Sequence, residues 1–266
     1  MTTYTMPTYT HTESSDTSIK NRESYLENMR KSLFDKAFFI DKLFENVDTI
    51  VDFGCADGSL IGFLSESFPN YKYIGYDNDE NMLNIARRNY KSGNFFSNLH
   101  FDITNNSVLN LSSVIHEIYS YCSVSEMHAF WEYVFGSGFK YIVIRDMMID
   151  ESERYSNNFV CIDKVPHKYM QKIREYQDVW GNIETNADFI HFLLKSQFAF
   201  GDNWERELHE DYLPIDIQDI VGFVPDGYEI SYLIHYTLPY LKHWVNQEMG
   251  INLNVSTHLQ MIIKRC

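Results

Sequence analysis

The chain has 266 residues, 44% hydrophobic and 16% aromatic, enough to bury a full core in one elaborated domain or two small ones. Its formal charge of −15 argues against a protein that coats nucleic acid, which needs Lys and Arg against phosphate. Four scattered cysteines (Cys55, Cys122, Cys161, Cys266) offer neither a metal-ligand spacing nor a disulfide framework, and no run of about 18 apolar residues is present to span a bilayer.

Residues 1–22 are Thr-, Ser- and Tyr-rich, have little to bury and lack the basic start and apolar segment of a secretory signal, so a flexible tail of a cytoplasmic protein is expected. From Tyr25 the apolar residues Met29, Leu33, Phe34, Phe38, Leu43 and Phe44 recur at helical steps. That pattern predicts an amphipathic segment with Lys31, Lys36 and Lys42 turned mainly to solvent. Residues 48–53 give a short buried strand, 59–68 a helix broken by Pro69-Asn70, 71–76 a second strand, and 80–90 a second helix with Met82, Leu83, Ile85 and Ala86 inward. Leu99–Asp102 is the expected third strand, Val108–Leu111 opens a fourth, a helix follows near 126–135, and 139–145 is a β-branched fifth strand. Alternation of this kind predicts a parallel sheet covered on both faces.

After Asp146 the alternation stops. Apolar spacing predicts helices over 165–180, 186–198 and 204–212, then strands over 228–234 and 258–264 separated by a helix near 239–249. The fold class expected is α/β, a Rossmann-like, mostly parallel sheet with an antiparallel C-terminal strand and a helical insertion. Its parts are the tail at 1–22, a core at 23–149, the insertion at 150–220 and closing strands at 221–266.

The most informative stretch is Val51-Asp52-Phe53-Gly54-Cys55-Ala56-Asp57-Gly58, followed by Gly75-Tyr76-Asp77. Glycines at the end of a first strand let backbone approach a ligand closely, and an acid at the tip of the second strand is placed to accept from two ribose hydroxyls. The spacing Gly54-x-x-x-Gly58-x-x-x-Gly62 departs from the dinucleotide pattern G-x-G-x-x-G. No tyrosine is followed four residues later by a lysine, as a short-chain dehydrogenase requires.

These residues resemble the first and second motifs of class I S-adenosylmethionine-dependent methyltransferases, with Met82-Leu83 and Ala86-Arg87 extending the second, over roughly residues 48–146. The resemblance implies S-adenosyl-L-methionine as cofactor. Gly54 and Gly58, after Asp52, would line its methionine part, Asp77 its ribose, and Asp102 with Ile103 its adenine. The chain departs from the commonest form at Ala56, where a G-x-G pattern places glycine.

Ligands of open parallel sheets bind beyond the carboxyl ends of the strands, so the residues after the fourth and fifth strands are the chemical candidates. His116 is a candidate general base, and Glu117 or Asp146 would orient it or take the proton themselves. The helical section would form a lid. Its Lys164, Lys168 and Lys172 fit a solvated face better than an anion site, and the acidic stretch from Asp202 to Asp211 would repel phosphate. Tyr169, Trp180, Phe189, Phe192 and Trp204 suit a core better than a pocket wall. The function expected is methylation of a small molecule, with no membrane partner and no metal. Methylation of RNA and a non-catalytic cofactor-binding module are the alternatives. Net charge and the missing N-P-P-[YF] motif count against nucleic acid.

Overall fold

The computed structural model describes residue 26 and residues 30–43, 46–99 and 103–266. The expected tail, Met29, Phe44 and the stretch 100–102 lie outside the described residues.

Among the described residues seven strands form one sheet: β1 (Thr49–Phe53), β2 (Lys72–Tyr76), β3 (Gly93–Phe96), β4 (Ser107–Ser112), β5 (Tyr141–Met147), β6 (Tyr228–Tyr236) and β7 (His258–Arg265), in the order β3-β2-β1-β4-β5-β7-β6. The first five run parallel, and β7 enters antiparallel between β5 and β6. β1 and β4, both buried throughout, flank the point where strand order reverses, so the crevice lies beyond Phe53 and Ser112.

The third strand is Gly93–Phe96, earlier than the expected 99–102. Packing decides this. The Phe95 ring fills the space left by glycines: a Cβ on Gly58 would come 2.9 Å from it and one on Gly75 2.6 Å. Leu99 packs partly buried against the other face of the sheet, and the rest of the expected strand lies outside the described residues.

One sheet face carries the helices Ser59–Ser67 and Glu80–Asn89 with the N-terminal segment, around Ile50, Leu64, Leu83 and Tyr141. The opposite face carries the helices Ile115–Tyr121 and Val124–Gly136, around Val51, Leu109, Trp131 and Ile144, with Ile215 and Ile220 packed there too. A third apolar core belongs to the helical section, Met170–Trp180 and Asn186–Ser196, joined by Leu241, Val245 and Leu253 from after β6. Tyr169, Phe189 and Phe192 are wholly inside that core, so these aromatics build the section's interior. Lys168 is exposed and pairs with Glu248, and Lys172 pairs with Glu175, as a solvated face requires. Among the described residues no helix is long and apolar enough to cross a membrane.

The N-terminal segment contradicts its expected orientation. Lys36, placed toward solvent by helical spacing, is only 7% exposed, whereas Phe34 is 83% exposed. The described turn Leu33–Lys36 is α-helical, and its rotation is set by Asp35. One Asp35 oxygen accepts from Arg145 Nε at 2.6 Å and the Tyr236 hydroxyl at 2.7 Å, and the other accepts from Gln260 Nε2 at 3.2 Å. Three C-terminal-half residues thus fix the segment on β5, β6 and β7. Arg145 is itself buried, and removing its anion leaves an uncompensated interior charge. Asp35→Ala is therefore expected to lower unfolding free energy by about 3 kcal/mol in urea titration.

Candidate active site

The turn after β1 is wound through left-handed backbone at Gly54 (φ +73°), Ala56 (φ +45°) and Gly58 (φ +76°). Gly54 and Cys55 both donate their N–H to the Tyr76 carbonyl, at 2.8 and 2.9 Å, which pins the turn to the end of β2. Ala56 occupies the position where glycine is commonest and holds a conformation that costs an L-residue roughly 1–2 kcal/mol. Asp77 secures it: one oxygen accepts from Ala56 N at 2.7 Å and the other from Asp79 N at 2.8 Å. Each oxygen keeps a further lone pair. Burial raises the Asp77 pKa above the ordinary carboxylate value, against these backbone donors.

Asp52 is 5% exposed and accepts from Asn110 Nδ2 at 2.7 Å. Burial pushes its pKa up to about 6, against the pull of Asn110 and Lys36. Asp52, Gly54, Cys55 and Ser112 line a small cavity whose outer wall is Leu33 and Lys36. The Ser112 hydroxyl is buried there and has no hydrogen-bond partner among the described residues. Left-handed turn, acid at the β2 tip and orphaned hydroxyl fit the methionine and ribose parts of S-adenosylmethionine. Ile103 is half-buried on the same side as Val51 and Tyr76, and Asp102 lies outside the described residues.

A larger cavity, about 170 Å³, opens beyond β4 and β5 between the N-terminal segment and the helical section. Asp146, fully buried at the end of β5, organises its floor. One oxygen accepts from the N–H groups of Val114 (3.0 Å), Ile115 (2.7 Å) and His116 (3.3 Å), satisfying donors that a helix start leaves free. The other accepts from Met147 N at 2.8 Å and faces His116 Nδ1 at 2.7 Å. Burial works to raise the Asp146 pKa, but the His116 charge and these donors hold it below the ordinary value.

His116 has a carboxylate on each ring nitrogen, Asp146 on Nδ1 and Glu210 Oε1 3.4 Å from Nε2. Burial disfavours the charged ring, yet Asp146 and then Glu210 outweigh it and raise the His116 pKa well above 6.5. A carboxylate on each ring nitrogen thus favours the charged imidazolium. Glu117, the next residue, has Arg206 as a distant partner at 3.8 Å and keeps 40% of its side chain accessible. Burial and the Glu210 charge push it up to about 7, with the accessible part moderating the shift.

The helical section supplies the rest. Arg206 pairs with Glu207 at 2.5 Å and with Glu210 at 3.0 Å. The Tyr212 hydroxyl donates to Glu207, and buried Lys195 donates to the Glu207 and Glu210 carbonyls, closing the end of the helix Trp204–His209. Burial takes Lys195 down to about 7 and Glu207 up to about 7. The acidic stretch, expected only to repel phosphate, thus places buried Glu210 against His116 and buried Glu207 in the wall of the same cavity. His116, Glu117 and Glu210 bring ligand-capable atoms within 4.8 Å, a spacing open to a cation, and Arg206 already supplies positive charge there.

The structure brings His116, Glu117 and Asp146 together at the larger cavity and Asp52, Gly54 and Asp77 together at the glycine turn. Sequence reasoning missed Lys36, Arg206, Glu207 and Glu210 at these cavities. Arg206 and Glu210 stand one helical turn apart beside Trp204 and Tyr212, the one local signal of their shared face.

A methyltransferase-domain family model matches residues 50–141, from β1 into β5. No curated protein sequence matches the chain. The fold is similar to that of the plantazolicin methyltransferase BamL, solved with a triazolic desmethylPZN analog and SAH, at 11% identity and TM-score 0.54, covering 92% of this chain and 90% of that one. The plantazolicin methyltransferase BpumL, with a monoazolic desmethylPZN analog and SAH, matches at 10% identity and TM-score 0.50 over 92% and 89% of the two chains. The pyocyanin biosynthetic protein PhzM matches at 13% identity and TM-score 0.52, over 92% of this chain and 58% of that one. The chain therefore carries a methyltransferase domain over residues 50–141, set in a Rossmann-like sheet with the glycine turn beyond β1. It is a methyl-transferring enzyme with S-adenosyl-L-methionine as donor.

Because the fold raises the His116 pKa, that group's stabilisation is fully present below 6.5 and is lost as pH climbs through the raised value. Thermal melts between about pH 6 and 9 should show wild type losing its advantage over His116→Gln as pH rises. A constant difference would remove the charged bridge.

Proposed function

We propose that the enzyme methylates a small molecule held in the larger cavity, with Glu117 taking the acceptor's proton. The observation that carries this is the placement of Glu117. It is the wall carboxylate with the weakest pairing and the most open side chain, and its pKa near 7 suits a base at neutral pH.

Asp52, Gly54 and Gly58 would hold the methionine end of the cofactor, Asp77 its ribose hydroxyls, and Asp102 with Ile103 its adenine. When bound, S-adenosylmethionine supplies an electrophilic methyl group on a sulfonium. In-line positioning of an acceptor can then provide much of the acceleration. An acceptor O–H or N–H enters facing Glu117, and its proton passes to a Glu117 carboxylate oxygen as the acceptor atom takes the methyl. His116 is not the base in this reading, because both ring nitrogens face carboxylates, which leaves neither open to an acceptor. It positions Glu210 across the cavity floor. Asp146 is committed to His116 and four backbone donors, and it holds the floor.

The helical section covers the strand ends, so acceptor and methyl meet away from bulk water. A roofed cavity suits a compact guest, and the names of the similar plantazolicin and pyocyanin proteins support a small-molecule acceptor. Free thiols at all four cysteines support a cytoplasmic location.

Asp77→Ala should weaken S-adenosylhomocysteine binding roughly tenfold in calorimetry, since two hydroxyl acceptors are lost. Unchanged affinity would remove Asp77 from the site. Glu117→Gln should retain cofactor affinity while transfer of label from cofactor to a metabolite extract falls by about 10²–10⁴. Label appearing in an RNA pool instead would overturn the small-molecule reading.

A further inference from the structure

Lys36 has no role in the chemistry above, yet its position is unusual. It is 7% exposed, and among the described residues its ammonium makes neither a hydrogen bond nor an ion pair. A buried cation without an anion carries a heavy desolvation cost and is tolerated where a ligand completes it. Lys36 lines both cavities, the small one beside Asp52 and Ser112 and the large one beyond β4 and β5.

Two further buried atoms are orphaned nearby, the Ser112 hydroxyl and Arg145 Nη2. Ser112 and Arg145 stand opposite one another across β4 and β5, so their side chains share a sheet face. Three hydrogen-bond donors that have no acceptor among the described residues thus surround the junction of the two cavities. Asp52 lies on the same sheet face, close enough to Lys36 for each to shift the other's titration but without an ion pair between them.

We infer that Lys36 clamps the α-carboxylate of the cofactor's methionine end, with Asp52 opposite to receive its α-ammonium. The separated cation and anion form a receptor for a zwitterion, which an ion-paired Lys36 and Asp52 would not. This rests on the cofactor assignment above and adds a ligand-binding group from outside the matched domain. Burial and then Arg145 take the Lys36 pKa down to about 8, a bias that an incoming carboxylate reverses. The clamp also gives the Asp35 anchor a purpose: it holds the turn that carries Lys36 over the cleft. Arg30 adds a second tie, donating to Asp57 at 2.8 Å and Ser59 at 3.2 Å.

The test is calorimetry on the full chain with S-adenosylhomocysteine and with its decarboxylated analogue, which lacks only the α-carboxylate. Wild type should prefer the carboxylate-bearing ligand by roughly 10- to 100-fold, the range of a charge-assisted hydrogen bond. Lys36→Met, close in length and free of charge, should fold normally, bind both ligands alike and leave affinity for the decarboxylated analogue unchanged. Lys36→Arg should restore part of the preference. A Lys36→Met protein that keeps the wild-type preference overturns the clamp while leaving the cofactor site intact, and would place any carboxylate partner of Lys36 in the larger cavity. Failure of wild type to bind S-adenosylhomocysteine at all overturns the cofactor assignment and the clamp with it.

Discussion

The Asp146 carboxylate is the interaction on which the rest of the site depends. It ends β5, satisfies three N–H groups at the start of the Ile115–Tyr121 helix, and holds the His116 ring. A buried carboxylate is costly unless its lone pairs are used, and here they are used by groups from both sides of the sheet crevice. That fixes the distance between the ends of β4 and β5. It also favours the charged form of His116, whose other ring nitrogen meets Glu210 from nearly a hundred residues further along the chain.

Around this centre, ionisable groups divide by how completely they are paired. Asp146, His116, Arg206 and Glu210 neutralise one another and form a rigid floor. Glu117 and Lys36 are left over, one facing the larger cavity and the other the junction with the smaller. A weakly paired carboxylate can accept a proton, and an unpaired ammonium can accept an anion. Low local dielectric makes both more effective than they would be in water.

The methyltransferase core was legible because its signals are local. Strand, glycine turn, helix and acidic strand end occur within thirty residues, and each depends on backbone conformation or on burial along one element. Ala56 departs from the commonest pattern yet keeps the left-handed conformation, so the turn survived a substitution that weakened its signature. The third strand was misplaced because hydrophobic content does not show which aromatic has glycines opposite it. Phe95 does.

Lys36, Arg206, Glu207 and Glu210 were illegible for a different reason. In sequence they are charges on amphipathic segments, and such charges are assigned to solvent by default. Their burial is decided by partners far away: Asp35 turns Lys36 inward through Arg145, Tyr236 and Gln260, and His116 receives Glu210. The sequence by itself determined the fold class, the cofactor family and the strand ends where chemistry had to lie, since short-range periodicity and turn chemistry carry that information. Only the tertiary structure decided which charges meet at those ends, because pairing energies depend on distance and solvent exclusion, and neither exists until the chain has folded.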